Sequence, residues 1–174
     1  CRVVVNRSDS SGRSGDYLNA GADVVVLGEG EITLRELLGR WSGNVSWQDV
    51  PGIVFHGDDQ LPRTPPRPVL RDLDALPLPA WDLIDIAPYK AIWQRSQGYF
   101  SLNMATTRGC PFKCNWCAKP IYGNRYNSRS PEHVVRELEL LQERYAPDHI
   151  WFADDIFGLK PGWVQRFRDV LHER

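Results

Sequence analysis

The chain has 174 residues, 42% of them hydrophobic and 25% charged, which suits a globular, water-soluble fold of one domain or parts of two. Lys and Arg number 21 against 22 Asp and Glu, so net charge selects no particular partner. No apolar run approaches the roughly 18–20 residues that cross a bilayer, and the start Cys1-Arg2-Val3-Val4-Val5 carries no signal peptide, so a cytoplasmic protein with no membrane partner is expected.

In chain order, Val3 to Val5 reads as a short buried strand and Ser8 to Gly15 as a Ser/Gly/Asp loop. A short helix through Tyr17 and Leu18 stops at Asn19-Ala20-Gly21, and Val24 to Leu27 forms a second buried strand. Gly28-Glu29-Gly30-Glu31 follows at once, and Thr33-Leu34-Arg35-Glu36 opens a helix with a capping-box pattern. Leu34, Leu37 and Leu38 give that helix its apolar face. Strand, helix, strand, helix at this pace predicts the last part of a parallel α/β domain over residues 1–48.

Ile53-Val54-Phe55 before Gly57-Asp58-Asp59 reads as a strand and turn. Pro62, Pro65, Pro66, Pro68, Pro77 and Pro79 then make residues 49–98 a hairpin and an extended linker. A second domain, 99–174, begins with a strand over Ser101–Thr107, and a cysteine loop follows directly. Ser130-Pro131-Glu132 starts a helix with Ser as N-cap and Pro in the first turn, and Val134, Val135, Leu138, Leu141 and Tyr145 line its apolar face. His149 to Ala153 is a strand ending at Asp154-Asp155, and Trp163, Val164, Phe167, Val170 and Leu171 mark a last amphipathic helix. This order is the opening of a β/α barrel or an open α/β sheet, where sites sit at the carboxyl ends of strands. The chain does not begin with Met and stops inside a helical pattern, so it reads as a piece of a longer protein.

Cys110, Cys114 and Cys117 lie in an eight-residue window with C-x3-C-x2-C spacing. Three cysteines so close favour metal binding in a reducing compartment over disulfides. Cys1 stands apart and reads as a small buried hydrophobe. Soft thiolates select iron–sulfur clusters, zinc or copper(I). Structural zinc wants four closed ligands, usually as two separated pairs. With His133 as a fourth ligand, a zinc-stabilised binding module without catalysis is the alternative of another class. Four-iron clusters are usually held by four cysteines, so a triplet would leave one iron open to an outside ligand.

Two further features bear on the site. Asp154-Asp155 is either a solvated loop or helix cap, or a functional carboxylate pair; two carboxylates alone do not complete a metal site. From Ile86 to Pro131 there is no Asp or Glu, while Lys90, Arg95, Arg108, Lys113, Lys119, Arg125 and Arg129 all fall there. That stretch is an ordinary basic surface, a source of cations beside an anionic cluster, or an RNA-binding face in which Tyr99, Phe100, Trp116, Tyr122 and Tyr126 interleave with the cations.

The Cys-Pro-Phe-Lys-Cys-Asn-Trp-Cys loop closely resembles the radical S-adenosylmethionine (SAM) superfamily, whose C-x3-C-x2-C loop follows the first strand of a partial barrel. The resemblance implies a [4Fe-4S] cluster on Cys110, Cys114 and Cys117, with SAM bound to the open iron through its amino and carboxylate groups. An electron from the cluster then cleaves the sulfonium to methionine and a 5′-deoxyadenosyl radical. It implies Trp116 beside the SAM adenine, and Asp154 or Asp155 on the SAM ammonium. The wider superfamily has Gly-Gly-Glu at that strand end, which this chain lacks. It further implies a small-molecule substrate and an electron donor such as flavodoxin or ferredoxin; an RNA-modifying member is the alternative within the family.

Gly21 to Leu34 resembles the end of the Rossmann-like cobalamin-binding domain that precedes many such barrels. That likeness implies Gly28 and Gly30 near the cofactor's nucleotide tail and Ser8, with Asp9 beside it, at another tail contact. No Asp-x-His-x-x-Gly segment is present. A glycine turn that needs no ligand explains the same residues. With Leu76-Pro77-Leu78-Pro79-Ala80-Trp81-Asp82 and Phe152 to Phe157, nearly the whole chain resembles the branch that includes the anaerobic magnesium-protoporphyrin monomethyl ester cyclases. Members of that branch oxidise, cyclise or methylate many substrates.

Overall fold

The computed structural model describes residues 1–117, 119 and 121–174. They form two compact units: Cys1–Leu70 with Pro111–Asn124, and Arg71–Cys110 with Arg125–Arg174.

The first unit is built on a three-stranded sheet of β1 (Val4–Asn6), β2 (Val24–Val26) and β3 (Ile53–Phe55). β1 runs parallel to β2 and β3 antiparallel to it. Every residue of β2 and β3 is buried, so both strands read as continuous apolar runs rather than alternating ones. α1 (Ser8–Gly12) and α2 (Ser14–Asn19) connect β1 to β2, and α3 (Glu31–Ser42) follows β2. Leu37 and Val50 pack with Val24, Val26, Ile53 and Phe55 on one face of the sheet; Leu18 and Ala22 pack with Val25 and Val54 on the other.

Three local expectations are corrected here. Ser8 to Gly12 is a helix, not a loop. The Ser10 hydroxyl accepts from Arg7 N and donates to Arg7 O, the Ser14 hydroxyl donates to Ser10 O, and Tyr17 donates to Asp9 Oδ2 at 2.7 Å. These side-chain bonds satisfy the turn that composition alone leaves open. The capping box at Thr33 is also absent: α3 starts at Glu31 with Gly30 as N-cap. Thr33 is buried inside the helix, donating to Pro51 O and accepting from Arg67 Nε, while Glu36 pairs with Arg67 and Arg40. Finally, only Leu37 of the expected leucine face is buried; Leu34 and Leu38 are exposed.

The second unit has β4 (Ser101–Met104) parallel to β7 (His149–Phe152), in the register Ser101 to His149 and Met104 to Phe152. α5 (Pro131–Tyr145) and α6 (Trp163–His172) cover one face. Leu102, Met104, Ile150 and Phe152 point to them and pack with Val134, Val135, Leu141, Phe167 and Val170. Ser130 caps α5 as expected, accepting from His133 N at 3.1 Å, and Ala146 closes it in a left-handed conformation.

Two elements depart from the sequence reading. The stretch taken as linker contains α4 (Ala87–Gln97), started by Asp85, which accepts from Ala87 N, with Pro88 in the first turn, and ended by Gly98 at φ 79°. The strand expected over Ser101–Thr107 breaks: Thr107–Arg108 is a separate strand, β5, paired antiparallel with β6 (Asn127–Ser128).

Gly30 and Gly39 should respond oppositely to alanine. A Cβ at Gly30 would lie 2.8 Å from Asn6 Oδ1, and Asn6 is held by bonds from its Nδ2 to Val26 O and Gly28 O. Gly30→Ala is expected to cost about 1–3 kcal/mol by displacing that amide. Gly39 sits exposed inside α3 with open space around it, so Gly39→Ala should stabilise by about 0.5–1 kcal/mol. Urea denaturation midpoints of both variants check the signs.

Candidate functional site at the carboxyl ends of β4 and β7

β4 hands its chain from one partner to another. Ala153 N still bonds Met104 O at 2.8 Å, the last link to β7. Two residues later Arg129 N bonds Thr106 O at 2.9 Å, and Thr107 pairs with Ser128. The switch removes the β7 partner from two amides. The Asp154 carboxylate fills that gap: Oδ1 accepts from Thr106 N at 2.7 Å and Thr107 N at 2.9 Å, and Oδ2 accepts from the Thr106 hydroxyl at 2.5 Å. The Thr107 hydroxyl adds a bond to Ile156 O at 3.1 Å. Thr106 is fully buried. Asp154 is therefore occupied within the protein, while its neighbour Asp155 is exposed.

Beyond Arg108 and Gly109 (φ 79°) comes the cysteine loop. None of its cysteines is in a disulfide: Cys110 and Cys117 are half-buried and Cys114 is exposed. Cys117 N bonds Cys114 O at 3.2 Å, which folds the C-x2-C segment into a turn. Trp116 at its tip is 88% exposed, the most open aromatic face among the described residues. Among the described residues, no three His, Cys, Asp or Glu side chains are gathered as a metal site. The donor set nonetheless suits a thiolate-bound cluster in kind: three cysteines, none in a disulfide, in a segment outside helix and strand.

A buried polar network stands behind β4. Arg129 donates from Nε to His133 Nδ1 at 3.0 Å, from Nη1 to Ala105 O at 2.8 Å and from Nη2 to His133 O at 3.2 Å. Its Nη1 also lies 2.5 Å from Glu137 Oε2, an ion pair without the alignment of a hydrogen bond. Trp81 Nε1 donates to Glu137 Oε1, and Trp163 Nε1 donates to Arg129 O. Asp74 Oδ1 accepts from Ser130 N and lies 3.5 Å from His133 Nδ1. A cavity of about 310 Å³ borders this network and the end of β4. The sequence reading missed the network: His133 and Glu137 are an i, i+4 pair on α5, whereas Arg129 precedes the helix cap, so no single periodicity links the three. On the other face of β4 and β7, an open cleft of about 770 Å³ is walled by Trp81, Tyr89, Trp93, Trp151 and Asn103.

These contacts redistribute several expected roles. His133 is buried, and its Nδ1 already accepts from Arg129, which removes that nitrogen as a zinc ligand. Lys90 caps the end of α5 through Tyr145 O, Lys119 bonds Phe112 O and Asn124, and Arg129 belongs to the network, so these cations serve the protein itself. Of the proposed stacking aromatics, Phe100 is fully buried and the Tyr126 hydroxyl accepts from Leu159 N. In the first unit, Ser8 is exposed, and Asp9 is engaged by Tyr17. Gly28 has φ 70° with only Ile121 O near its missing Cβ, while Gly30 is packed against Asn6.

Residues 104–173 match the model of the Radical SAM superfamily. The chain belongs to the radical SAM superfamily through this segment. It is 35% identical over 138 residues to an uncharacterised methyltransferase of Pyrococcus horikoshii, covering 79% of this chain and 29% of that protein. It is 29% identical over 149 residues to the anaerobic magnesium-protoporphyrin IX monomethyl ester cyclase of Synechocystis sp., covering 86% of this chain and 29% of the cyclase. The structure of the radical SAM methyltransferase TsrM from Kitasatospora setae, solved with cobalamin and a [4Fe-4S] cluster bound, superposes with a TM-score of 0.70 at 22% identity, covering 99% of this chain and 34% of that one. The chain thus spans less than a third of the length of these two curated relatives. The radical SAM segment begins at Met104, the residue at which β4 makes its last bond to β7. No described helix is long and apolar enough to cross a membrane.

Two stability effects follow from the network. Glu137→Ala leaves the Arg129 guanidinium buried without its counter-ion and should cost about 3–5 kcal/mol in denaturant titrations. Burial, and then the Arg129 charge, push the His133 imidazole below its ordinary value of 6.5. The native state therefore holds it neutral where the unfolded chain takes up a proton. Stability should fall as pH drops below 6.5 and level off below the native value. The difference between wild type and His133→Gln, measured across that range, isolates this contribution.

Proposed function

We propose that the protein carrying this chain is a radical SAM enzyme in which Cys110, Cys114 and Cys117 hold a [4Fe-4S] cluster. The observation that carries the reading is the position of the triplet. It leaves the carboxyl end of β5 inside the matched segment and brings three cysteines, none in a disulfide, into one loop. When bound, the cluster supplies the electron that splits SAM into methionine and a 5′-deoxyadenosyl radical. The chain's own residues bind and orient. Asp155 offers an exposed carboxylate for the SAM ammonium, and Trp116 offers an open aromatic face for adenine. Lys113 and Arg125, both exposed, supply positive charge near the loop.

In this reading residues 1–48 are the end of a cobalamin-binding-like domain, 49–98 a hairpin and linker region, and 99–174 the first units of a partial barrel. The substrate is a small molecule, and the reaction is a radical oxidation, cyclisation or methylation, the last two matching the names of the relatives. Cobalamin use is supported by the fold match to TsrM. Ser8 is exposed and Gly28 half-buried, and both are assigned to such a cofactor's tail, whereas the Gly30 contact with Asn6 explains that glycine without it. A cytoplasmic flavodoxin or ferredoxin is the fitting electron donor.

Anaerobic reconstitution of the complete protein with iron, sulfide, SAM and reductant should give a brown protein with about four irons and release 5′-deoxyadenosine. Cys114→Ala should abolish the chromophore. A colourless protein holding one zinc would sink the proposal and favour a non-catalytic binding module.

A further inference from the structure

We infer that Asp154 is a positioning residue that fixes the stem of the cysteine loop, rather than a ligand of SAM. The inference rests on the radical SAM reading of the loop, but its evidence is the geometry of the strand switch. A parallel strand that leaves its neighbour orphans backbone donors, and a buried orphan donor is costly. Thr106 and Thr107 stand at that point, and their amides converge on one oxygen of Asp154. The second oxygen takes the Thr106 hydroxyl. Charge-assisted bonds of this kind are stronger than neutral ones.

The segment is fixed from the other side as well. Arg129 bonds the carbonyls of Ala105 and Thr106, from its guanidinium and its backbone amide respectively. The four residues Met104 to Thr107 are thus bonded to the end of β7 on one side and to Arg129 and β6 on the other. Cys110 lies three residues beyond Thr107. A carboxylate with three donors already in place has little capacity left for an ammonium group, whereas Asp155 is exposed. The two acidic residues, adjacent in sequence, therefore divide the work: Asp154 ties the strand ends, and Asp155 faces outward.

The test compares Asp154→Ala, Asp154→Asn and Asp155→Asn with wild type in the complete protein. Amide hydrogen exchange at Thr106 and Thr107, read without any cluster, should accelerate at least about tenfold in Asp154→Ala and stay at the wild-type rate in Asp155→Asn. Asp154→Ala should also retain less than half of the wild-type iron after reconstitution, with a broadened electron paramagnetic resonance signal of the reduced cluster. Asp154→Asn should rescue exchange rate, iron content and spectrum. Its amide oxygen can still accept both backbone amides, and its NH2 can donate to the Thr106 hydroxyl oxygen. Wild-type exchange and iron in Asp154→Ala would overturn the inference. So would an Asp154→Asn protein with full iron and at least tenfold weaker SAM binding, since that would make the charge a ligand. If Asp154→Ala does not fold, the Asp154→Asn rescue decides. If wild type itself takes up no cluster, the functional reading fails while the exchange measurement still judges the clamp.

Discussion

The second unit depends on how β4 changes partners between Met104 and Thr107. A strand bonded to β7 throughout would run straight on beside it. A strand released without compensation would leave two buried amides unpaired, at a cost of about 1–3 kcal/mol each. Asp154 resolves this by placing one carboxylate oxygen between the amides of Thr106 and Thr107. The freed chain then pairs with β6 for two residues before it becomes the cysteine loop. The loop consequently leaves from a short antiparallel ladder instead of from a free strand end. Sites at the carboxyl ends of parallel strands exploit the divergence of chains there; here the divergence is stabilised by a side chain from the neighbouring strand end.

Arg129 supports the same segment from behind. Its guanidinium reaches Ala105 O, His133 and Glu137, and His133 and Glu137 are themselves buried. A buried ion pair is weak evidence of net stability, because desolvation offsets much of the attraction. Its geometry is more informative than its energy. A planar fork with five donors can fix a carbonyl, an imidazole and a carboxylate at once, which Lys could not do. Trp81, from the Pro-rich stretch, joins through Glu137, so that stretch is bonded to α5 and not simply draped on a surface. The same arrangement removes Arg129 from the set of cations available to an anionic cofactor. Charge counted along a sequence therefore overstates the positive field at a site whenever some of the cations have internal partners.

Legibility followed the range of the determining contacts. α5 was readable because Ser130, Pro131 and the 3.6-residue apolar spacing lie within its own span, and β2 and β7 were readable as apolar runs at strand length. α4 was missed because the prolines before it dominate the local pattern, while its start depends on Asp85 and its end on Gly98. The start of α3 was placed at Thr33 because Thr-x-x-Glu is a local signature. In the fold both residues are claimed by Arg67, a partner more than thirty positions away, and by Pro51. β5 and β6, at two residues each, are too short to leave any periodicity.

The Asp pair shows where a motif-level reading reaches its limit. By sequence the two carboxylates are interchangeable candidates for one role, since both follow the same strand and carry the same charge. Strand pleat separates them: consecutive side chains at a strand end point to opposite sides. One therefore turns toward β4, where Thr106 and Thr107 offer donors, and the other turns outward. The pairing could not be inferred from Asp154 alone, because the need for it arises in β4, some fifty residues earlier. It is the partner switch in β4, itself invisible as a pattern, that gives the first Asp its task and leaves the second exposed for another.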